Sequence, residues 1–223
     1  MRLGSFLAAS AFLVLTATSV SAQTCAGLAP FSAGPVRLGA GLSSSEGVKG
    51  YGVNMAAGAK AGPYATGTLT RIEYDDIEGN GTLFGVGAGY AIDVNPAKTV
   101  QFCPRAGLQY ASGPDIDTGT GTLTTSAHAV SFGGALGGTV AMAPTFDFVP
   151  FVAASYVVER ATAKLGGVSD SESEDYTEVD VGAGFVINKT LTLQPMVAIP
   201  VGLDGAKSAF QLAFTFNFGS AKH

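Results

Sequence analysis

The chain has 223 residues, 47% hydrophobic and only 13% charged, with 31 glycines and a formal net charge of −5. No run of 18 apolar residues follows the first 22 positions, which excludes a transmembrane helix in the remainder. High apolar content arriving as alternation points instead to sheet, built around a soluble core or across a membrane.

Residues 1–22 read as a secretory signal. Arg2 supplies the positive start, FLAASAFLVL the apolar middle, and Val20-Ser21-Ala22 a small-residue cleavage site. Residues 23–223 are then expected to form one domain. Ten segments alternate with period two, at about 35–43, 47–57, 63–75, 80–94, 99–111, 123–142, 146–164, 175–188, 190–202 and 207–218. Tight connections fall at 58–62, 95–98, 143–145 and 188–189. The other set, at 43–46, 76–80, 112–121, 166–175 and 203–206, includes the longer loops. Short turns at one end and longer loops at the other suit a transmembrane barrel with short periplasmic turns. The expected fold is all-β, a closed antiparallel up-and-down barrel of ten strands, with eight as the alternative.

Two cysteines in an exported chain imply one disulfide, Cys25–Cys103. Cys25 precedes the first strand and Cys103 follows a periplasmic turn, so both fall at the same end of the barrel. Charge sorts with the same topology. The outer half holds five basic and fifteen acidic residues, net −10; the periplasmic half holds six basic and two acidic, net +4.

Parity within each strand separates two faces. Val100, Phe102, Pro104, Ala106, Leu108 and Tyr110 alternate with Gln101, Cys103, Arg105, Gly107 and Gln109; Val179, Val181, Ala183, Phe185 and Ile187 alternate with Glu178, Asp180, Gly182 and Gly184. A face of Gly, Ala, Thr and Ser with isolated charges fits a narrow, crowded lumen better than bulk water. Expected lumen charges are Arg37, Arg71, Glu73, Asp93, Arg105, Asp147, Glu159, Glu178 and Asp180, of both signs, because buried ions must be paired or solvated. A structural network is the economical reading, and an ion path is its rival.

Little catalytic chemistry is specified. His128 has Ser126 and Ser131 nearby but no defined acid-base pair, so a membrane-embedded hydrolase is only an alternative. DSESEDYTEVD (170–180) offers carboxylates to divalent cations, yet it lacks the spacing and turn glycine of a calcium loop and reads first as a solvated acidic loop. No phosphate-cradling loop, zinc spacing or basic aromatic patch is present, so no cofactor and no nucleic-acid partner is expected.

The last segment, AFQLAFTFNFG (209–219), places Gln211, Ala213, Phe216 and Phe218 in a polar, small, aromatic, aromatic order. This resembles the assembly signal of bacterial outer-membrane barrels, with Ala213 where glycine is usual and five residues after the final aromatic. The whole of 23–223 is similar to the small outer-membrane barrels of the outer-membrane protein A transmembrane-domain type. The resemblance implies outer-membrane lipid and the barrel-assembly machinery as partners. It also implies a location in the outer membrane of a diderm bacterium, reached through the periplasm, and a structural, surface-interaction or narrow porin-like role.

Overall fold

The structure, a computed structural model, describes residues 24–29, 35–59, 61–75, 77–119, 121–203 and 205–218; the expected signal segment lies outside them. A single 3₁₀ turn, Thr24–Ala26, precedes twelve strands. They are β1 (Val36–Ser45), β2 (Val48–Gly58), β3 (Gly62–Tyr74), β4 (Asn80–Asp93), β5 (Val100–Ser112), β6 (Ile116–Asp117) and β7 (Thr122–Gly138), then β8 (Val140–Ala143), β9 (Phe146–Leu165), β10 (Val168–Ile187), β11 (Leu191–Val201) and β12 (Ala209–Phe218).

Ten of these form a closed antiparallel ring. β1 to β5 pair in sequence, β5 pairs with β7, β7 with β9, and β9 to β12 pair in sequence. The seam is β1 against β12, running from Val36↔Phe218 to Ser44↔Phe210. Closure removes every edge at membrane depth, which a sheet in lipid requires. The two short strands are appendages. β6 folds back on the start of β7. β8 holds the register of β7 on β9, since Gly137 faces Phe151 and Val140 faces Phe148. The expected segment 123–142 is therefore one path broken at Thr139, whose N–H donates to the Thr99 carbonyl at 2.7 Å.

One expectation is overturned. Residues 168–175 are strand rather than loop, and only Gly166 and Gly167 connect β9 to β10. Both glycines have positive φ, +56° and +87°, the pattern of a tight hairpin that matches strand twist. Ser and acidic residues alternate along 169–174, so the period-two pattern was present; its lack of apolar residues disguised it as loop.

Inward and outward faces alternate along every long strand. Outward stand Leu38, Val53, Phe84, Leu108, Phe132, Val152, Val181 and Phe214, all exposed. So wide an apolar surface is incompatible with water and suits the hydrocarbon layer. Tyr51 and Tyr110 lie near the outer ends of β2 and β5, and Tyr90, Phe148 and Phe218 near the periplasmic ends of β4, β9 and β12. Inward stand Gly85, Gly87 and Gly89 on β4 and Gly133 and Gly137 on β7, giving a narrow ring room for opposed side chains. No helix among the described residues is long and apolar enough to cross a membrane.

A plugged lumen and a projecting acidic sheet as candidate functional site

A close ion pair crosses the inner wall. Arg105 on β5 reaches across to Asp180 on β10, Nη2 to Oδ2 at 2.8 Å, and also donates to Ser155 Oγ on β9 at 3.0 Å. Asp180 is fully buried, so the pair and its hydroxyl partner satisfy one another where water is scarce. Glu178 is buried one inward step above Asp180. At the periplasmic end, Asp93 accepts from Gln101 Nε2 at 2.8 Å, and Asp147 shares the inward parity of β9.

Two expected lumen charges are elsewhere. Arg71 and Glu73 point outward on β3, paired at 3.4 Å and largely exposed. On this strand the inward places belong to Thr66, Thr68, Thr70 and Ile72. Neither face of β3 is wholly apolar near its outer end, so parity alone could not orient the pair. Above the apolar band an outward ion pair meets water and headgroups instead of hydrocarbon.

The lumen holds something the sequence pattern did not announce. Residues 24–29 lie inside the ring, all buried, with Cys25, Leu28 and Ala29 wholly inaccessible. Cys25 is joined to Cys103, their Cα atoms 6.1 Å apart, and packs among Ala56, Tyr64, Ala91, Ala135 and Ala153 from five strands. Gln194 Nε2 donates to the Ala26 carbonyl at 2.5 Å, and the Arg37 guanidinium donates to the carbonyl of Ala29. Two inward glycines make the fit. A Cβ at Gly137 would overlap the Thr24 carbonyl, and one at Gly184 would overlap that of Gly27. The available signal was the run of small uncharged residues, TCAGLA, beside a cysteine whose partner lies inward on β5.

Sharing Gln194 with this segment is an uncharged cavity of about 60 Å³, lined by the polar Asn54, Thr68, Thr70 and Gln194 together with the apolar Val53 and Met196. The buried hydroxyls of Thr66, Thr68, Thr192 and Thr215 have no partner among the described residues. Buried hydroxyls of this kind are ordinarily satisfied by water.

At the outer end, β9 and β10 each run 20 residues. About 9–11 tilted residues suffice to span a bilayer, so the outer halves of both strands project beyond it. Along β9 the outward series turns from Val152, Tyr156 and Val158 to Arg160, Thr162 and Lys164, marking where the apolar band ends. At the edge of that band Glu159 stands opposite Glu174 in the register. The inner face of the projection continues with Glu172 and Asp170, while Tyr156 on the outer face donates to Asp175 Oδ2 at 2.7 Å. β11 pairs with β10 only from Thr177 onward, which leaves Val168–Tyr176 without a strand partner on that flank among the described residues.

His128 points outward against Tyr110, ring centroids 4.9 Å apart, with Ser126 on the same face and Ser131 on the opposite one. Among the described residues no group of three or more His, Cys, Asp or Glu converges on a metal position. On β12, Gln211 and Ala213 face the lumen, and Phe216 and Phe218 face outward.

A closed ten-strand ring, apolar outside and polar within, is an integral outer-membrane β-barrel, and its lipid-facing band places it in the outer membrane of a diderm bacterium. Residues 10–218 match the model of the outer membrane protein beta-barrel domain, and the chain belongs to that family. Among solved structures, the β domain of the Bordetella autotransporter BrkA is similar at 12% identity and a TM-score of 0.55, over 82% of this chain and 98% of that one. The N-terminal β-barrel domain of Pseudomonas aeruginosa OprF matches at 12% identity and TM-score 0.35, over 82% and 96% of the two chains. Ail, the attachment invasion locus protein of Yersinia pestis, matches at 11% and 0.39, over 81% and 94%. At such identities the likeness to BrkA speaks for the fold alone. No curated protein sequence matches the chain.

Proposed function

We propose that this protein is a non-enzymatic outer-membrane barrel with a structural or surface-interaction role, and that the projecting sheet of β7, β9 and β10 is its contact element. The supporting observation is the outer half of β10, an extended acidic strand with one flank unpaired among the described residues. An open strand flank offers backbone donors and acceptors to an added strand. Asp170, Glu172, Glu174 and Asp175 select a cationic one through complementary charge. Divalent cations serve this strand as loosely held counterions.

The hydrolase alternative has little support, because His128 lies on the outer face against Tyr110 with no carboxylate beside it in the register. On this reading residues 1–22 are removed at export, and Gln211, Ala213, Phe216 and Phe218 present the chain to the barrel-assembly machinery. The test is binding of detergent-refolded protein to an immobilised peptide of alternating lysine and threonine. Binding should weaken with salt and vanish when Asp170, Glu172 and Glu174 are all changed to Lys. Equal binding by the two proteins would overturn the proposal.

A further inference from the structure

We propose that this barrel is a latent pore for small hydrophilic solutes, with segment Thr24–Ala29 as its stopper and the Cys25–Cys103 bond as the lock. The segment adds nothing to the wall. It pairs with no strand, yet all six of its residues are buried inside the ring. The wall, in turn, is cut to receive it. Gly137 and Gly184 leave the space that the carbonyls of Thr24 and Gly27 occupy, and Gly27 itself has a φ of +73°, with the Phe151 ring against it. Without the segment, no side chain at those two glycines would refill the gap.

The wall around the segment is mixed, with small apolar side chains packed on Cys25 and polar ones standing beside Ala26. Gln194 serves two purposes: it donates to the Ala26 carbonyl and also lines the polar cavity. That cavity, and the hydroxyls of Thr66, Thr68, Thr192 and Thr215 that have no partner among the described residues, offer polar groups to a solute on one side of the lumen. On the facing wall Arg105 pairs with Asp180, and the carboxylates of Glu178 and Glu159 lie buried above that pair. A narrow path with hydroxyls and amides on one wall and carboxylates on the other suits small neutral polar solutes and hydrated monovalent cations rather than anions.

Among the described residues the segment is held by polar contacts from Gln194 and Arg37, by packing on Cys25 and Ala29, and by the covalent bond. Reduction by a dithiol breaks the S–S bond. Two electrons and two protons pass to Cys25 and Cys103 as thiols, and the reductant becomes a cyclic disulfide. The segment is then held by non-covalent contacts alone and can leave towards the periplasm.

Single-channel recording of the full refolded barrel in a planar bilayer tests the proposal. The oxidised protein should be silent, dithiothreitol should produce discrete openings, and reoxidation should abolish them. A second protein, lacking residues 24–29 and carrying Cys103→Ser, should conduct without reductant once heat-modifiable gel migration shows it folded. Steady conductance of the oxidised protein overturns the proposal, as does silence of the folded deletion variant. Openings in the deletion variant with none on reduction overturn the disulfide as lock. The inference stands apart from the surface-binding reading, which the peptide assay tests without reference to conductance.

Discussion

At the scale of single residues, stability in the lumen depends on how each buried charge is answered. Removing the partner of Arg105 leaves a cation in a narrow interior, so Asp180→Ala should destabilise the barrel by roughly 3–5 kcal/mol. Replacing both members by apolar residues should cost much less than the two single changes together; urea unfolding in detergent measures both. On the lipid face, Val181→Arg should cost about 2–4 kcal/mol, as a cation near the bilayer midplane does.

Among the elements, the projecting hairpin and the barrel wall are separable. Thr162–Ser171 lies above the apolar band and contributes nothing to closure of the ring, which β10 completes through Thr177–Ile187. Replacing it by Asn-Gly should leave heat-modifiable migration and outer-membrane fractionation unchanged. The segment within the lumen has its own check. Gly184→Val should displace it, leaving a folded barrel in which Cys25 and Cys103 both react with a maleimide under non-reducing denaturation. Strand number and most boundaries could be read from the sequence, because period two, inward glycines and turn residues all pointed the same way. The reading failed where one of those signals was missing. The upper half of β10 alternates Ser with Asp and Glu and so offers no apolar face. Arg71 and Glu73 sit where β3 leaves the lipid and neither side is distinctly apolar. The disulfide pair was visible as a pair, whereas the entry of 24–29 into the lumen was not, since six small residues carry no periodicity to place them.

For the whole molecule, a ring with a hydrocarbon-facing band assigns the compartment, and the last strand should govern arrival there. Phe216 and Phe218 face outward at the seam with β1. Changing both to Ser should lower the outer-membrane fraction and raise periplasmic or degraded protein on immunoblots. The residues that specify location are thus spread over ten strands, while those that could specify a partner are confined to one projection, which explains why place was easier to read than role. The bond between positions 25 and 103 has a further outcome for the molecule. It closes the first four strands and the start of β5 into a covalent loop, with a sequence separation of 78 between its ends. A protease cut at the Glu46–Gly47 turn would leave both fragments fastened together, migrating as one species until a reducing agent is added. A cut at Gly166–Gly167 falls outside the loop and would release two pieces on denaturation in either condition, so the N-terminal part of the chain tolerates nicking that the C-terminal part does not.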